Sequence, residues 1–305
     1  MLVCIGEILI DLIGESDGNS VLFKRFAGGA PFNVACAAKR MGGNVGFVGN
    51  VGNDLFGRFL SEFAGERGFD YLDVALDERH NTTLAVVQLD ETGERKFCFI
   101  RKNAADYFIT KRQAENAVKR ADTVCLGTLM LSEPQGEELA DYTVKLAKEQ
   151  GKRLCIDVNY REDIYGENNP VPIYKKYIEA ADVVKFSEDE LAMFADGETL
   201  EDRMIKIAGK NKLVCVTLGK DGSAFAYKGE VRKVGSIKVK TVDTTGAGDA
   251  FYGCLLAQID GKDLSALEMS ELEKMFYAAN KCGAIATTKR GAIDALPERG
   301  EVFGE

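Results

Sequence analysis

The sequence contains a single histidine, His80. That excludes a histidine-rich metal site and argues against a Ser-His-Asp triad. Any catalysis must rest on carboxylates, lysine, arginine or backbone amides. His80 lies in the polar stretch Asp77–Asn81 and is expected at the surface. Eight cysteines, at 4, 36, 98, 125, 155, 215, 254 and 282, form no CxxC pair. Most sit in apolar runs such as Val124-Cys125-Leu126 and Leu154-Cys155-Ile156. They read as small buried hydrophobes of a reducing cytosol. Five prolines and no low-complexity tract leave nothing that resembles a flexible joint between independent domains. No apolar run approaches the roughly 20 residues of a membrane span. The N-terminus enters a strand at once, so no signal peptide is expected and a cytoplasmic location follows. Positive charge is scarce: 39 Lys and Arg face 48 Asp and Glu, a net charge of −9. The resulting pI of about 5.0 argues against nucleic-acid binding and against docking on anionic membranes. It does not argue against an anionic nucleotide, because local glycines and a few cations outweigh a global field. No GxxxxGK[ST] motif occurs, which excludes a P-loop enzyme. No GxGxxG opens a first βαβ unit, which counts against a dinucleotide-binding oxidoreductase.

What is present concentrates in Asp243-Thr-Thr-Gly-Ala-Gly-Asp-Ala-Phe-Tyr-Gly253. Gly246 and Gly248 precede an apolar run, Ala250 to Ile259, that reads as a helix. Glycine lets a backbone approach an anion closely. Amides at a helix start then point at it, and the helix dipole favours negative charge there. Asp249 falls in the first turn. An anion hole beside a fixed carboxylate suits phosphoryl transfer to a hydroxyl: the hole takes charge on the moving group, and the carboxylate takes the proton. The dipole is expected to hold the Asp249 pKa low. A second glycine-rich element lies far upstream, Phe26-Ala-Gly-Gly-Ala-Pro-Phe-Asn33-Val-Ala35, again before a helix-like run, Val34 to Met41.

Short β-rich runs alternate with helical patterns. Strands are expected at Leu2–Ile5, Val45–Val48, Thr123–Leu126, Arg153–Asp157, Val183–Phe186 and Leu213–Thr217. Helical spacing relates Leu139, Tyr142 and Leu146, and also Leu200, Met204 and Ile207. Several strands are continuously apolar, as parallel strands covered on both faces are. The fold class is therefore α/β, a doubly wound, mainly parallel sheet. A chain of 305 residues can bury roughly 75% of its unfolded surface, and α/β folds of this size often form one domain. Two segments break the rhythm. Ile8–Phe26, with the turn Glu15-Ser-Asp-Gly-Asn19, and Thr82–Ile100, with Leu89-Asp-Glu-Thr-Gly-Glu94, both read as hairpins.

Gly28, Gly29 and Asn33 near the N-terminus, with DTTGAGD at Asp243 to Asp249, resemble the two signatures of the ribokinase-like, or PfkB, carbohydrate kinases. The order and spacing fit that family over nearly the whole chain. GGAPFNVA and DVNYR, Asp157 to Arg161, look most like its fructokinase branch. The resemblance implies a single ribokinase-like domain over 1–305, with strands at about 8–26 and 82–100 forming a lid over a sugar site. It implies ATP and magnesium as cofactors and transfer to the 6-hydroxyl of fructose. An exposed lid sheet could pair with a second subunit to give a homodimer, and a monomer is the alternative.

On the same resemblance, Asp249 is the general base, and Gly246, Ala247 and Gly248 supply the anion hole. Asp11, Gly28, Gly29 and Asn33 bind the sugar. Arg101 and Arg161 lie on the substrate side, unless they are ordinary surface arginines. Lys185-Phe-Ser187-Glu-Asp-Glu190 resembles the family's Asn-x-x-Glu motif for magnesium and phosphates, with Ser187 in place of Asn. Lys185 either reaches a phosphate or pairs with a neighbouring carboxylate. Thr217, Gly219, Gly222 and Asn280 face the nucleotide. Glu190 touches magnesium through water, and Asp243 with Thr245 lies near a monovalent cation such as potassium. Ribokinase, 2-keto-3-deoxygluconate kinase and aminoimidazole riboside kinase are related alternatives. A silent sugar- or nucleotide-binding regulator is another, disfavoured by the intact DTTGAGD.

Overall fold

The computed structural model describes residues 1–16, 21–89, 95–165, 169–209 and 212–304. Its strands are β1 (Leu2–Ile5), β2 (Leu9–Ser16), β3 (Val21–Gly28), β4 (Val45–Gly52), β5 (Tyr71–Asp77), β6 (Leu84–Leu89) and β7 (Arg95–Ile100) in the first third. β8 (Thr123–Leu126), β9 (Arg153–Asp157), β10 (Val183–Ser187), β11 (Leu213–Thr217), β12 (Ser223–Tyr227) and β13 (Glu230–Val234) follow. Among the described residues, nine of these make one sheet, in the order β13-β12-β11-β10-β9-β8-β1-β4-β5. From β11 through β5 the pairing is parallel. β12 and β13 close one edge antiparallel.

The apolar strands earn their place because helices cover both faces of this sheet. Side chains of one parity, Leu2, Cys4, Phe47 and Cys215 among them, join one core with the helices Ala30–Arg40, Ala247–Ile259 and Met269–Ala286. The other parity, with Val3, Ile5, Val124 and Ile156, packs against Pro134–Glu149 and Leu200–Ala208. Seven of the cysteines are buried and free, and Cys98 is exposed.

Two helices matter most, and they touch at backbone distance. A Cβ at Gly253 would lie 2.4 Å from the Val34 carbonyl oxygen and 2.6 Å from the Ala37 Cβ. Small residues thus let the 30–40 and 247–259 helices lie side by side.

The two expected hairpins pair as β2–β3 and β6–β7, and β2 joins β6 in parallel to give a four-stranded sheet. The turns expected at 15–19 and 89–94 fall largely outside the described residues.

Three strands were not anticipated from sequence. β5 is a half-buried edge strand carrying Asp73 and Asp77, β12 is the short alanine-containing SAFAY, and β13 is the mostly exposed EVRKV. β5 and β13 show neither an apolar run nor clean alternation, and the apolar run of β12 is only the four residues Ala224–Tyr227. The surface expectation for His80 is corrected. Its ring stacks on Phe108 at 3.7 Å and its Nδ1 is hydrogen-bonded to Asp77 Oδ2 at 2.7 Å, leaving the side chain 11% exposed.

Candidate active site

Parallel strands carry their functional residues at their carboxyl ends, where connections to the helices open a crevice. Here Glu7 follows β1, Asp157 ends β9, Ser187 ends β10 and Thr217 ends β11. Asp11, from β2 of the smaller sheet, faces the same crevice. The helices Ala30–Arg40 and Ala247–Ile259 both begin there.

The crevice holds two cavities. One, about 450 Å³, is lined by Glu7, Asp11, Gly29, Asn33, Asn159, Arg161, Lys185, Ser187, Glu190, Thr245, Gly246 and Asp249. The other, about 750 Å³, is lined by Gly219, Gly222, Ala247, Asn280 and the segment around Ser236–Val239. Thr217, Thr244 and Gly248 line both. The glycine turn before the 247–259 helix therefore stands at the junction.

That turn needs its glycines. Gly246 has φ 75°, in the left-handed region. A Cβ there would lie 2.4 Å from that of Ala292. The Ala247 amide, expected to face an anion, donates to the Thr244 carbonyl at 3.3 Å. Beneath the turn, the Lys185 ammonium would come within 3.2 Å of a Cβ at Gly248. It also sits 2.8 Å from both oxygens of Asp157. Burial is the largest influence and opposes the Lys185 charge, but Asp157, Glu190 and Asp249 together outweigh it and the pKa rises. Of the two alternatives for Lys185, the structure shows the pairing with a neighbouring carboxylate, in a position beside the turn.

Asp249 lies in the first turn of its helix, half-buried on the smaller cavity's wall. The expectation of a low pKa is overturned. Enclosure by protein raises it, against the Asn33 hydrogen bond and the charges of Lys185 and Arg161. A helix dipole is a weak local field, whereas loss of hydration acts on the whole charge. Asn33 holds this carboxylate directly, its Nδ2 donating to Asp249 Oδ2 at 2.8 Å. The Asn33 Oδ1 is buried without a hydrogen-bond partner among the described residues. Asp11 is pushed up to about 7, by burial first and then by Asp249. Gly28 makes room for it: a Cβ there would lie 2.1 Å from Asp11 Oδ2. Exposed Arg161 partly offsets the negative charge of Asp11 and Asp249.

Glu190 and Ser187 form a capping box on the helix Glu188–Phe194. One Glu190 oxygen accepts from the Ser187 amide and the other from that of Tyr160, each at 2.7 Å. Asn280 donates to the carbonyls of Val234 and Gly235, tying the end of β13 to the 269–286 helix. Asp243 is buried and accepts from the amides of Thr245 and Gly291.

A family model, pfkB family carbohydrate kinase, matches residues 1–299. The chain belongs to the pfkB family of carbohydrate kinases. It is 37% identical to fructokinase-1 of Zea mays over 311 residues, covering 99% of this chain and 96% of that protein. Fructokinase of Xylella fastidiosa with bound ATP superimposes with a TM-score of 0.89 at 29% identity, covering 99% of this chain and 97% of that one. A double-mutant fructokinase of Vibrio cholerae O395, bound to fructose, ADP and potassium ion, gives 0.88 at 32%, with the same coverages. The ribokinase-like architecture expected from the sequence is the one these structures share.

In this pfkB chain the structure brings most of the expected site residues to the two cavities. Arg101 is an exception. It is buried, neither on the surface nor lining either of these two cavities. Its donors go to Asp106, the Tyr107 hydroxyl, the Leu129 carbonyl and Ser132. Thr83 also donates to Asp106, so both roots of the β6–β7 hairpin are pinned to one carboxylate. Gly28 and Asp243 also stand behind the wall rather than in it. Sequence reasoning missed Glu7, Asn159 and Thr244. Glu7 left a signal, a lone charge inside Cys4-Ile5-Gly6-Glu7-Ile8-Leu9-Ile10. The 236–241 wall left a misleading one: Ile237-Lys238-Val239-Lys240 alternates as a strand does, yet the segment has no regular structure.

Proposed function

We propose that this pfkB chain is an ATP-dependent fructose kinase that transfers the γ-phosphoryl group to the sugar's 6-hydroxyl. One observation carries the reading: the glycine turn is common wall to both cavities, and Asp249 stands on the smaller one's side. The smaller cavity, rich in carboxyls and amides, suits a polyhydroxy acceptor. The larger, with its glycine rim at Gly219 and Gly222 beside Thr217 and Asn280, suits a nucleotide. Asp249 accepts the hydroxyl proton while Asn33 fixes its angle. Gly246, Ala247 and Gly248 present backbone to the transferring group, with the positive charge of Lys185 beneath. Asp11, Gly29 and Arg161 orient the sugar. Release of ADP across a panel of sugars tests the whole reading. Fructose should be turned over fastest, and no turnover of any sugar would sink it.

Magnesium is proposed as the divalent ion. Among the described residues no cluster of three or more potential ligands exists, and both oxygens of Glu190 already accept amides. That suits a metal held chiefly by phosphates and water and touching Glu190 through water. Bound there, magnesium neutralises charge on the phosphates. Excess chelator should abolish turnover and added magnesium restore it; full activity in chelator would refute the claim. Potassium near Asp243 and Thr245 is proposed on the ion named with the Vibrio cholerae relative. Equal rates in potassium and tetramethylammonium would remove it.

The chain is proposed to act as one domain whose smaller sheet is a lid. Val21, Leu22 and Phe23 on β3 are 43%, 66% and 47% exposed, and Ile100 on β7 is 57% exposed. Three consecutive open residues leave both faces of the β3 edge bare, as suits pairing with a second copy. Leu22→Asp is then expected to convert a dimer into a monomer in light scattering. A monomeric parent protein would overturn the pairing. No helix among the described residues is long and apolar enough to cross a membrane.

A further inference from the structure

Resting on the sugar-kinase reading, we infer that Glu7 is a substrate-reading residue, a carboxyl held in the acceptor cavity to hydrogen-bond a hydroxyl of the bound sugar. Glu7 is 1% exposed. Neither of its side-chain oxygens has a hydrogen-bond partner among the described residues. It lines the smaller cavity beside Asp11, Gly29 and Asn33. A buried carboxyl with no partner destabilises a fold. Here the fold makes space for one. A Cβ at Gly127 would lie 2.9 Å from Glu7 Oε2, and a Cβ at Gly29 would lie 2.5 Å from the Glu7 carbonyl oxygen. Two glycines from separate segments thus accommodate this residue.

The obvious internal partner is Arg101, whose charge acts on Glu7. Its donors are directed at Asp106, Tyr107, Leu129 and Ser132 instead. The cavity side is what remains to Glu7. Burial first, then Asp106 and Asp249, push its pKa up to about 8 against the Arg101 charge. Near neutral pH the group is a neutral acid, with one O–H donor and one carbonyl acceptor. A sugar hydroxyl offers the same two functions in reverse. Such a group reads a neutral polyol.

Glu7→Met removes the hydrogen-bonding atoms at similar length, and Glu7→Gln keeps a donor and an acceptor. The expected result for Glu7→Met is a rise of about tenfold or more in the fructose KM. The ATP KM should stay within twofold, and the unliganded protein should melt no lower than its parent. Glu7→Gln should stay within about threefold of the parent and lose a decline in sugar affinity above about pH 8. An unchanged fructose KM in Glu7→Met would overturn the inference. So would a lower melting point with both KM values raised together, the pattern of a structural role.

Calorimetric titration of fructose into the unliganded proteins reads the same contact without turnover. Binding that weakens in Glu7→Met while no sugar is phosphorylated would sink only the phosphoryl-transfer reading. Equal binding by both would sink only the role of Glu7. A parent protein that binds no neutral sugar would overturn both.

Discussion

Asp249→Asn is expected to lower kcat by about 10²–10⁴ while leaving both KM values and the melting point close to the parent's. The substitution is nearly isosteric. Its amide oxygen can still accept from Asn33 Nδ2, now 2.8 Å from Asp249 Oδ2. What disappears is the capacity to take a proton from the acceptor hydroxyl. A loose phosphoryl-transfer transition state asks more for orientation than for basicity, so a raised pKa does not disqualify this carboxylate. It does shape the pH profile. Protonation removes the base, so parental kcat should fall as pH drops below a pKa set above the usual carboxylate range. Asp249→Asn should lack that limb. Activity within threefold of the parent would take Asp249 out of the mechanism.

Asp11→Ala is expected to lower kcat/KM for fructose at least tenfold, with the ATP KM barely changed. One charge-assisted hydrogen bond contributes roughly 1.5–3 kcal/mol, and a carboxylate can accept from two hydroxyls. Asp11 lines the smaller cavity and is absent from the larger, hence the split between substrates. Its pKa of about 7 adds a second signature. Ionisation strengthens an acceptor, so parental fructose affinity should rise with pH through that value and be flat in Asp11→Ala. Loss of ATP affinity with an intact fructose KM would show the cavities assigned in reverse.

The central parallel strands were legible because burial on both faces demands continuous apolar runs. Leu2–Ile5, Thr123–Leu126, Arg153–Asp157 and Leu213–Thr217 have the expected bounds. The edges were not, because an edge strand such as β13 is wetted and alternates weakly. The glycine turn before the 247–259 helix was legible because Gly246 and Gly248 mark backbone geometry directly. The pKa of Asp249 was not, since hydration is lost to residues scattered across the chain. Arg101 misled for a related reason. Its position after β7 suits a substrate contact, but only the packed structure shows Asp106, Tyr107 and Leu129 drawing its donors inward.

The contact at Gly253 bears on how this sequence can drift. Asn33 and Asp249 lie 216 positions apart, yet their 2.8 Å bond depends on two helices lying in backbone contact. A single methyl at Gly253, one turn beyond Asp249, would press on the Val34 carbonyl at 2.4 Å. It would force the helices apart and pull Asn33 and Asp249 out of register. Laboratory libraries aimed at the cavity walls would leave this position untouched, although it sets the spacing of the two helices that carry Asn33 and Asp249. Tolerance to substitution should therefore be lowest on a buried seam that no substrate reaches.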